Sequence, residues 1–372
     1  MINNVNLRNI KCFSSQEFTL KNLNILTGVN GSGKSTFIQS ILLACQTSLD
    51  GGIDLNGPLV EIGDYSDLRF DLAEDDGISI KISTEDGLCE WGYPEEYIFG
   101  ETESKSIVPL ASGSIDSFAK VVDSLIYISA ERWGPRSSVP VNSYNSNPYW
   151  LGKYGEFTIS FLNSLGSSTI RDESGQSISN TSKDDPRIHN VKVGTVILNN
   201  VIAWMGEITP NVGIDASVIK DAMIGYSSFS FGGSNKYKAS NVGFGLSYVL
   251  GIVTALVAAR KGSIVIIENP EAHLHPRAQS QLGRLITLAS LAGVQLIVET
   301  HSEHIINGIR IQVRKEVVKP DSINIFYVSR DNLKMESNVE KLTLNEVGQI
   351  SDWPNGFFDQ QLKDMQTLIS GG

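Results

Sequence analysis

Residues 28–35, Gly28-Val29-Asn30-Gly31-Ser32-Gly33-Lys34-Ser35, match GxxxxGK[ST]. The chemistry of that spacing is phosphate binding. Glycines let consecutive backbone N–H groups close around phosphate oxygens, and a helix opening just after the turn adds positive potential. Lys34 is placed to reach the β- and γ-phosphates of ATP. The Ser35 hydroxyl is a ligand for Mg²⁺, and Thr36 assists at the α-phosphate.

Two further segments carry polar groups at the end of an apolar run. In Ser263–Pro276, SIVIIENPEAHLHP, Glu268 closes the run where a Mg²⁺-associated acid is delivered beside such a loop. His273, His275 and nearby Glu271 raise the question of a metal. However, His-x-His places both rings on one side only in an extended strand, and Pro276 opens a helix, so a contact with a second copy is preferred over zinc. In Val294–His304, VQLIVETHSEH, His301 lies just past the run, where a histidine can hydrogen-bond a γ-phosphate. The competing role is helix capping by Thr300 or Ser302.

These groups need strands and helices to hold them. VNLRNI, EFTL and LNILTG read as short strands before the glycine turn, and Phe37, Ile38, Ile41 and Leu42 predict a helix from Lys34 to about residue 49. Residues 66–93 alternate apolar and polar, with turns at Asp76-Gly77 and Asp86-Gly87, so antiparallel strands are expected and the sheet is mixed. Residues 137–148 and 166–187 are rich in Ser, Asn, Asp and Gly and read as exposed loops. A helix over 191–205 and a strand over 223–231 are expected between and after them. An α/β rhythm returns with helices at 244–259, 275–291 and 302–316 and strands at 263–268, 294–299 and 322–328. The division expected is a split nucleotide-binding core, 1–94 and 239–345, an inserted helical/β lobe, 95–238, and a tail, 346–372, packing on the core.

Composition limits the function classes. The 372 residues are 41% hydrophobic and 19% charged, which excludes disorder and a long coiled coil. With 30 Lys plus Arg against 41 Asp plus Glu, the net charge of −11 argues against a broad grip on DNA or anionic lipid. A local basic face of Arg310, Arg314 and Lys315 leaves a DNA contact open, although a solvated helix face is the preferred reading. Cys12, Cys45 and Cys89 lack metal-type spacing and fit buried thiols in a reducing compartment. No secretion signal is expected, and the charge-free run 242–259 is broken by glycines, so the expectation is a cytoplasmic protein without membrane contact.

The order of these segments resembles an ABC-type AAA ATPase head of the SMC, RecF and OLD branch. LRNIKCF resembles that branch's first strands, GVNGSGKST its Walker A motif, SIVIIENPEAHLHP its Walker B and D-loop, and ETHSEH its switch-histidine segment. LNGPLVEIGDYSDL, YISAERWGPR, NVGFGLSYVL and WPNGFFDQ resemble a bacterial group of small stand-alone AAA-type ATPases, OLD-like without a Toprim nuclease domain. The resemblance implies an α/β P-loop NTPase with a mixed central sheet and an inserted α+β lobe. It also implies a homodimer, or a larger assembly of dimers, with ATP sandwiched between two heads.

The signature position is then Ser240–Gly245, with Asn241 and Gly243 before a helix that serves the opposite γ-phosphate; it departs from LSGGQ. A glutamate that orients water usually follows the Walker B acid, and here Asn269 stands in its place. Either Glu271 substitutes or hydrolysis is slow. With no nuclease or zinc constellation in the lobe, the expected role is regulation or assembly of a separate effector, a nuclease or toxin, with anti-phage defence as the setting by analogy. A DNA-engaging repair ATPase and a slow or non-hydrolysing sensor are the alternatives.

Overall fold

The structure is a computed structural model that describes residues 1–48, 50–97, 106–142, 147–170, 176–177, 184–190, 192–331, 335–351, 354 and 360–370. Strands β1 (Ile2–Ile10), β2 (Phe13–Thr19) and β3 (Leu23–Gly28) lead through the glycine turn into α1 (Lys34–Ala44). Then come β4 (Ile78–Thr84), β5 (Leu88–Tyr93), β6 (Leu110–Gly113), α2 (Asp116–Ser124) and β7 (Leu125–Ile128). Helices α3 (Thr158–Leu165) and α4 (Ile197–Ile208) precede β8 (Val212–Ile219) and β9 (Ile224–Phe231). The chain continues with α5 (Phe244–Ala258), β10 (Ile264–Glu268), α6 (Pro276–Leu291), β11 (Gln295–Glu299), α7 (Glu303–Arg314), β12 (Ile323–Asp331), β13 (Glu336–Leu342) and α8 (Gln360–Ser370).

Two sheets face each other. The core sheet runs β13-β12-β3-β11-β10-β7, parallel throughout except for β13, and is therefore mixed. The alternating strands of the N-terminal region do not join it; they form a separate antiparallel sheet, β2-β1-β4-β5-β6. The period-two pleat explains the layers. Leu26, Ile264, Ile266 and Ile297 point to α1 and the antiparallel sheet, whereas Leu23, Ile25, Val265, Ile267, Leu296 and Val298 point to α5, α6 and α7. Core strands buried on both faces read as continuous apolar runs, which is why they end abruptly at polar residues.

Several expectations are corrected. Helix α1 stops at Ala44 rather than near residue 49, which lies outside the described residues. Leu125–Ile128 falls inside the range expected to be inserted, yet it pairs in parallel with β10 and forms the edge of the core sheet. Four residues, LIYI, are too short to show a period. Asp185 and Arg187, expected in an exposed loop, are a buried ion pair at 2.6 Å, and the guanidinium also bonds Ala259 O. In the tail, Ile350 is buried and Gly348 O accepts from Arg310 Nε at 2.7 Å. Helix α8 departs from the expected packing, because Met365, Leu368 and Ile369 are 51, 83 and 82% exposed. Their spacing forms an apolar stripe that this chain leaves in solvent. Most of WPNGFFDQ, and parts of both Ser/Asn-rich loops, lie outside the described residues.

A buried amide pair fixes the register of the central strands. Asn24 and Asn324 face each other in register on β3 and β12. Asn24 donates to Lys21 O (2.7 Å) and Leu296 O (3.1 Å) and accepts from Asn324 Nδ2 (3.0 Å). Asn24→Ala leaves these buried groups unpaired and should cost about 1–3 kcal/mol of stability, read from the urea midpoint; an unchanged midpoint contradicts the pairing.

Candidate functional site

The glycine turn is built for close approach. Gly28 sits at φ 138°, and a Cβ there would lie 2.0 Å from Val328 O of β12, so no side chain fits. Gly33 at φ 107° begins α1 in the left-handed region that glycine accepts without strain. Lys34 is buried, donating to Gly28 O (3.1 Å) and Val29 O (2.7 Å), and burial lowers its pKa. Beside it the Ser32 hydroxyl is fully buried without a hydrogen-bond partner. A cleft of about 490 Å³ opens here, lined by Asn30–Thr36 together with Asn269, Glu299 and His301. Lys11, Arg69 and Arg330 add cations at its wall and Asp67 and Asp71 add carboxylates.

The acids are arranged differently from the expectation. Glu268 and Glu299 end adjacent strands in register. Glu268 is turned toward β7: Oε1 accepts from the Tyr127 hydroxyl (3.0 Å) and Oε2 from Ala130 N (3.1 Å), and it does not line the cleft. Burial raises its pKa against those two hydrogen bonds and Arg132. Burial and the neighbouring Glu268 charge also raise the Tyr127 hydroxyl. Glu299, which sequence reasoning missed, is the carboxylate at the phosphate loop. Its Oε2 accepts from Ser35 Oγ at 3.3 Å and its Oε1 lies 3.9 Å from Lys34 Nζ. Burial, then the charge of Glu268, push it up to about 7 against the opposing pull of Lys34 and Ser35. The available signal was a second apolar run ending in Glu, QLIVE, beside IVIIE.

Glu271 does not line the cleft. Its Oε2 accepts from Thr300 Oγ1 (2.8 Å) and its Oε1 from His301 N (2.7 Å), so both oxygens hold the turn that presents His301. His301 stays at the cleft, its pKa lowered by burial and by Lys34. Ser302 caps α7 by accepting from His304 N and Ile305 N, so the capping role and a position at the cleft are met by different residues. Asn269 has a left-handed φ of 43° and a buried Oδ1 with no partner. Arg132, also missed, stabilises that turn. It donates to Ser129 O (2.8 Å), Glu268 O (2.6 Å) and Asn269 O (2.7 Å), and burial pulls its pKa down to about 10.

Asn241 and Gly243 are exposed at the N-terminal end of α5 and are not part of this cleft. His273 lies against the rings of Tyr248 (4.8 Å) and Phe244 (5.6 Å) of its own chain, while His275 caps α6 through Arg277 N. Among the described residues, no cluster of three His, Cys, Asp or Glu could hold a metal. The run 242–259 becomes the 15-residue helix α5, largely buried in the core, and no described helix is long and apolar enough to cross a membrane.

Residues 4–123 match a family described as AAA domain, and residues 126–307 match one described as AAA domain, putative AbiEii toxin, type IV TA system. Residues 318–368 match a family described as protein of unknown function (DUF3696). Both AAA-domain matches agree with the class its motifs resemble, the ABC-type AAA ATPases. Solved structures similar to it include an SMC head domain from Thermotoga maritima, at 11% identity and TM-score 0.45, covering 92% of this chain and all of that one. Another is an Smc head with an extended coiled coil bound to the C-terminal domain of ScpA, derived from Pyrococcus furiosus, at 12% identity and TM-score 0.49, covering 99% of each chain. A third is an SmcHead bound to the C-winged helix domain of ScpA, at 12% identity and TM-score 0.48, covering 92% and 98%. Among curated proteins none matches.

Arg132→Lys tests the turn. A lysine ammonium cannot reproduce a planar fork bonded to three carbonyls, so stability should fall by about 1–3 kcal/mol in chemical denaturation. Wild-type stability in this variant would mean that the fork is dispensable.

Proposed function

We propose that the cleft binds Mg²⁺-ATP and hydrolyses it slowly, and that ATP closes two copies head to head to regulate a separate effector. The carrying observation is a phosphate loop whose buried Ser32 hydroxyl is unpartnered, facing a wall where Asn269 Oδ1 is unpartnered too. Residues 1–94 and 239–345, joined by β7, act as the nucleotide-binding core. Asn30–Gly33 supply N–H groups to the phosphates, Lys34 compensates the β,γ-phosphate charge, and Thr36 adds a contact at the α-phosphate. Ser35, with a strand-end carboxylate, fits Mg²⁺, which would neutralise charge developing on the phosphate oxygens.

His301 is poised to hydrogen-bond the γ-phosphate, and Glu271 sets its position through the backbone. The amide at Asn269 cannot accept a proton from water, and Glu271 is engaged elsewhere, which favours a slow switch over rapid turnover. Asn241 and Gly243, outside their own cleft, are left to complete the site of a second copy. The description of the family matched by residues 126–307, AAA domain, putative AbiEii toxin, type IV TA system, supports a setting that involves a toxin. The DNA reading loses support, because Arg310 is turned into the 345–350 turn and does not extend the basic face.

Lys34→Ala should weaken ATP binding by about 10- to 100-fold while leaving the fold intact, since a charged contact is lost at the cleft and no residue of the apolar core is removed. Isothermal titration reads this directly, and wild-type affinity refutes the assignment. Gly243→Arg should block closure without touching its own phosphate loop. Mixing it with Lys34→Ala chains should restore one sound composite site per heterodimer, and so ATPase above either variant alone. No recovery, with an active wild type, rules out the sandwich.

A further inference from the structure

We propose that Arg330 holds the nucleoside end of ATP, with its guanidinium laid against the face of the base. The assignment rests on the reading that the cleft takes ATP. Arg330 lines the cleft from β12, which borders β3 on the side away from β11. Glu299 and His301 arrive on β11 and Asn269 on the strand beyond it, so the γ-phosphate that His301 is poised to meet belongs to that flank. Arg330 stands on the other. The turn between β1 and β2 ties this second flank to the α-phosphate position: Cys12 Sγ donates to Thr36 Oγ1 at 3.6 Å, and Ser337 N of β13 donates to Cys12 O at 2.8 Å.

The backbone fixes where Arg330 emerges. Val328 pairs in register with Gly28 and belongs to the apolar layer facing α1. Two residues on, the pleat returns Arg330 to that same face, beside its cross-strand partner Ser337. A Cβ on Gly33 would stand 2.9 Å from Ser337 Oγ, so the β12–β13 hairpin is packed directly on the last glycine of the phosphate loop.

The neighbouring cations are already committed. Lys11 Nζ donates to Gln39 Oε1 at 3.0 Å. Arg69 donates through Nη2 to Ala73 O (2.9 Å) and Asp75 O (2.8 Å) and through Nε to Asp75 O (3.1 Å), and it pairs with Asp76 at 3.3 Å. The Arg330 guanidinium is exposed and has neither a hydrogen bond nor an ion pair among the described residues. A planar, weakly hydrated cation that no carboxylate occupies is suited to the π face of a base. The alternatives are a point-charge contact with a phosphate and a side chain that only meets solvent.

Isothermal titration of ATP and of ADP separates these roles without requiring turnover. Arg330→Ala should weaken both nucleotides alike, by about 3- to 30-fold, because the group they share at this end has lost its partner. Arg330→Lys keeps the charge but not the plane and should regain little of that loss. A loss confined to ATP would move Arg330 to the γ-phosphate and overturn the assignment. Recovery to wild-type affinity in Arg330→Lys would overturn it too, since a point charge on a phosphate would then suffice. Unchanged affinity for both nucleotides in Arg330→Ala means that the side chain only meets solvent. Wild type that binds neither nucleotide overturns the ATP reading itself, and the Arg330 assignment with it.

Discussion

Parallel pairing of Gln295–Glu299 between Leu23–Gly28 and Ile264–Glu268 governs where every group of the site ends up. Because the three strands run in the same direction and in register, their carboxyl ends fall on one rim. There Gly28 releases the chain into the phosphate loop, Glu268 and Glu299 stand side by side, and the following turns bring Asn269 and His301 inward. Moving either acid-ended strand by one residue would send its final carboxylate to the other face of the sheet. The buried Asn24–Asn324 pair opposes such a slip, since the shifted register would strand two amides in an apolar layer.

The rim is stiffened by side chains that never enter the cleft. Arg132 ties the chain after β7 to the carbonyls of Glu268 and Asn269, and its guanidinium stands 5.3 Å from the Tyr248 ring. Tyr248 in turn packs on His273, whose carbonyl lies 2.6 Å from where a Cβ on Gly245 would sit. The turn after β10 is therefore in continuous contact with the first turns of α5. If two heads close as proposed, the end of α5 assigned to one nucleotide would be packed against the turn assigned to the other.

Much of this site was legible in the sequence because its chemistry is local. Asn30–Thr36 form a contiguous motif, and strand-then-helix context is visible from apolar periodicity. The acids were harder. Glu268 followed an apolar run and was readable as a strand end, but its orientation depends on Tyr127 and Ala130, more than 130 residues away. Glu299 carried the same signal and was passed over in favour of His301, two positions later. Arg132 and β7 belong to the core only through long-range pairing, and a four-residue strand has too few positions to show a period. The burial of Asp185 and Arg187 was hidden because paired charges in a polar stretch look like a loop until their partner, Ala259 O, is known.

The arrangement of the core sheet also bears on how the protein is made. The strand carrying the phosphate loop lies near the amino terminus, yet both of its neighbours, β11 and β12, are encoded some 270 to 300 residues downstream. At about 5–20 residues per second on the ribosome, that strand waits roughly 15 to 60 seconds for its first partner. Until then its two edges lack their core-sheet partners, and the face of Leu23 and Ile25 lacks the later helices that cover it. Such non-local topology folds slowly and exposes sticky intermediates, so synthesis of this chain should depend on chaperone capacity, and pausing in the middle of the message would lengthen the hazard.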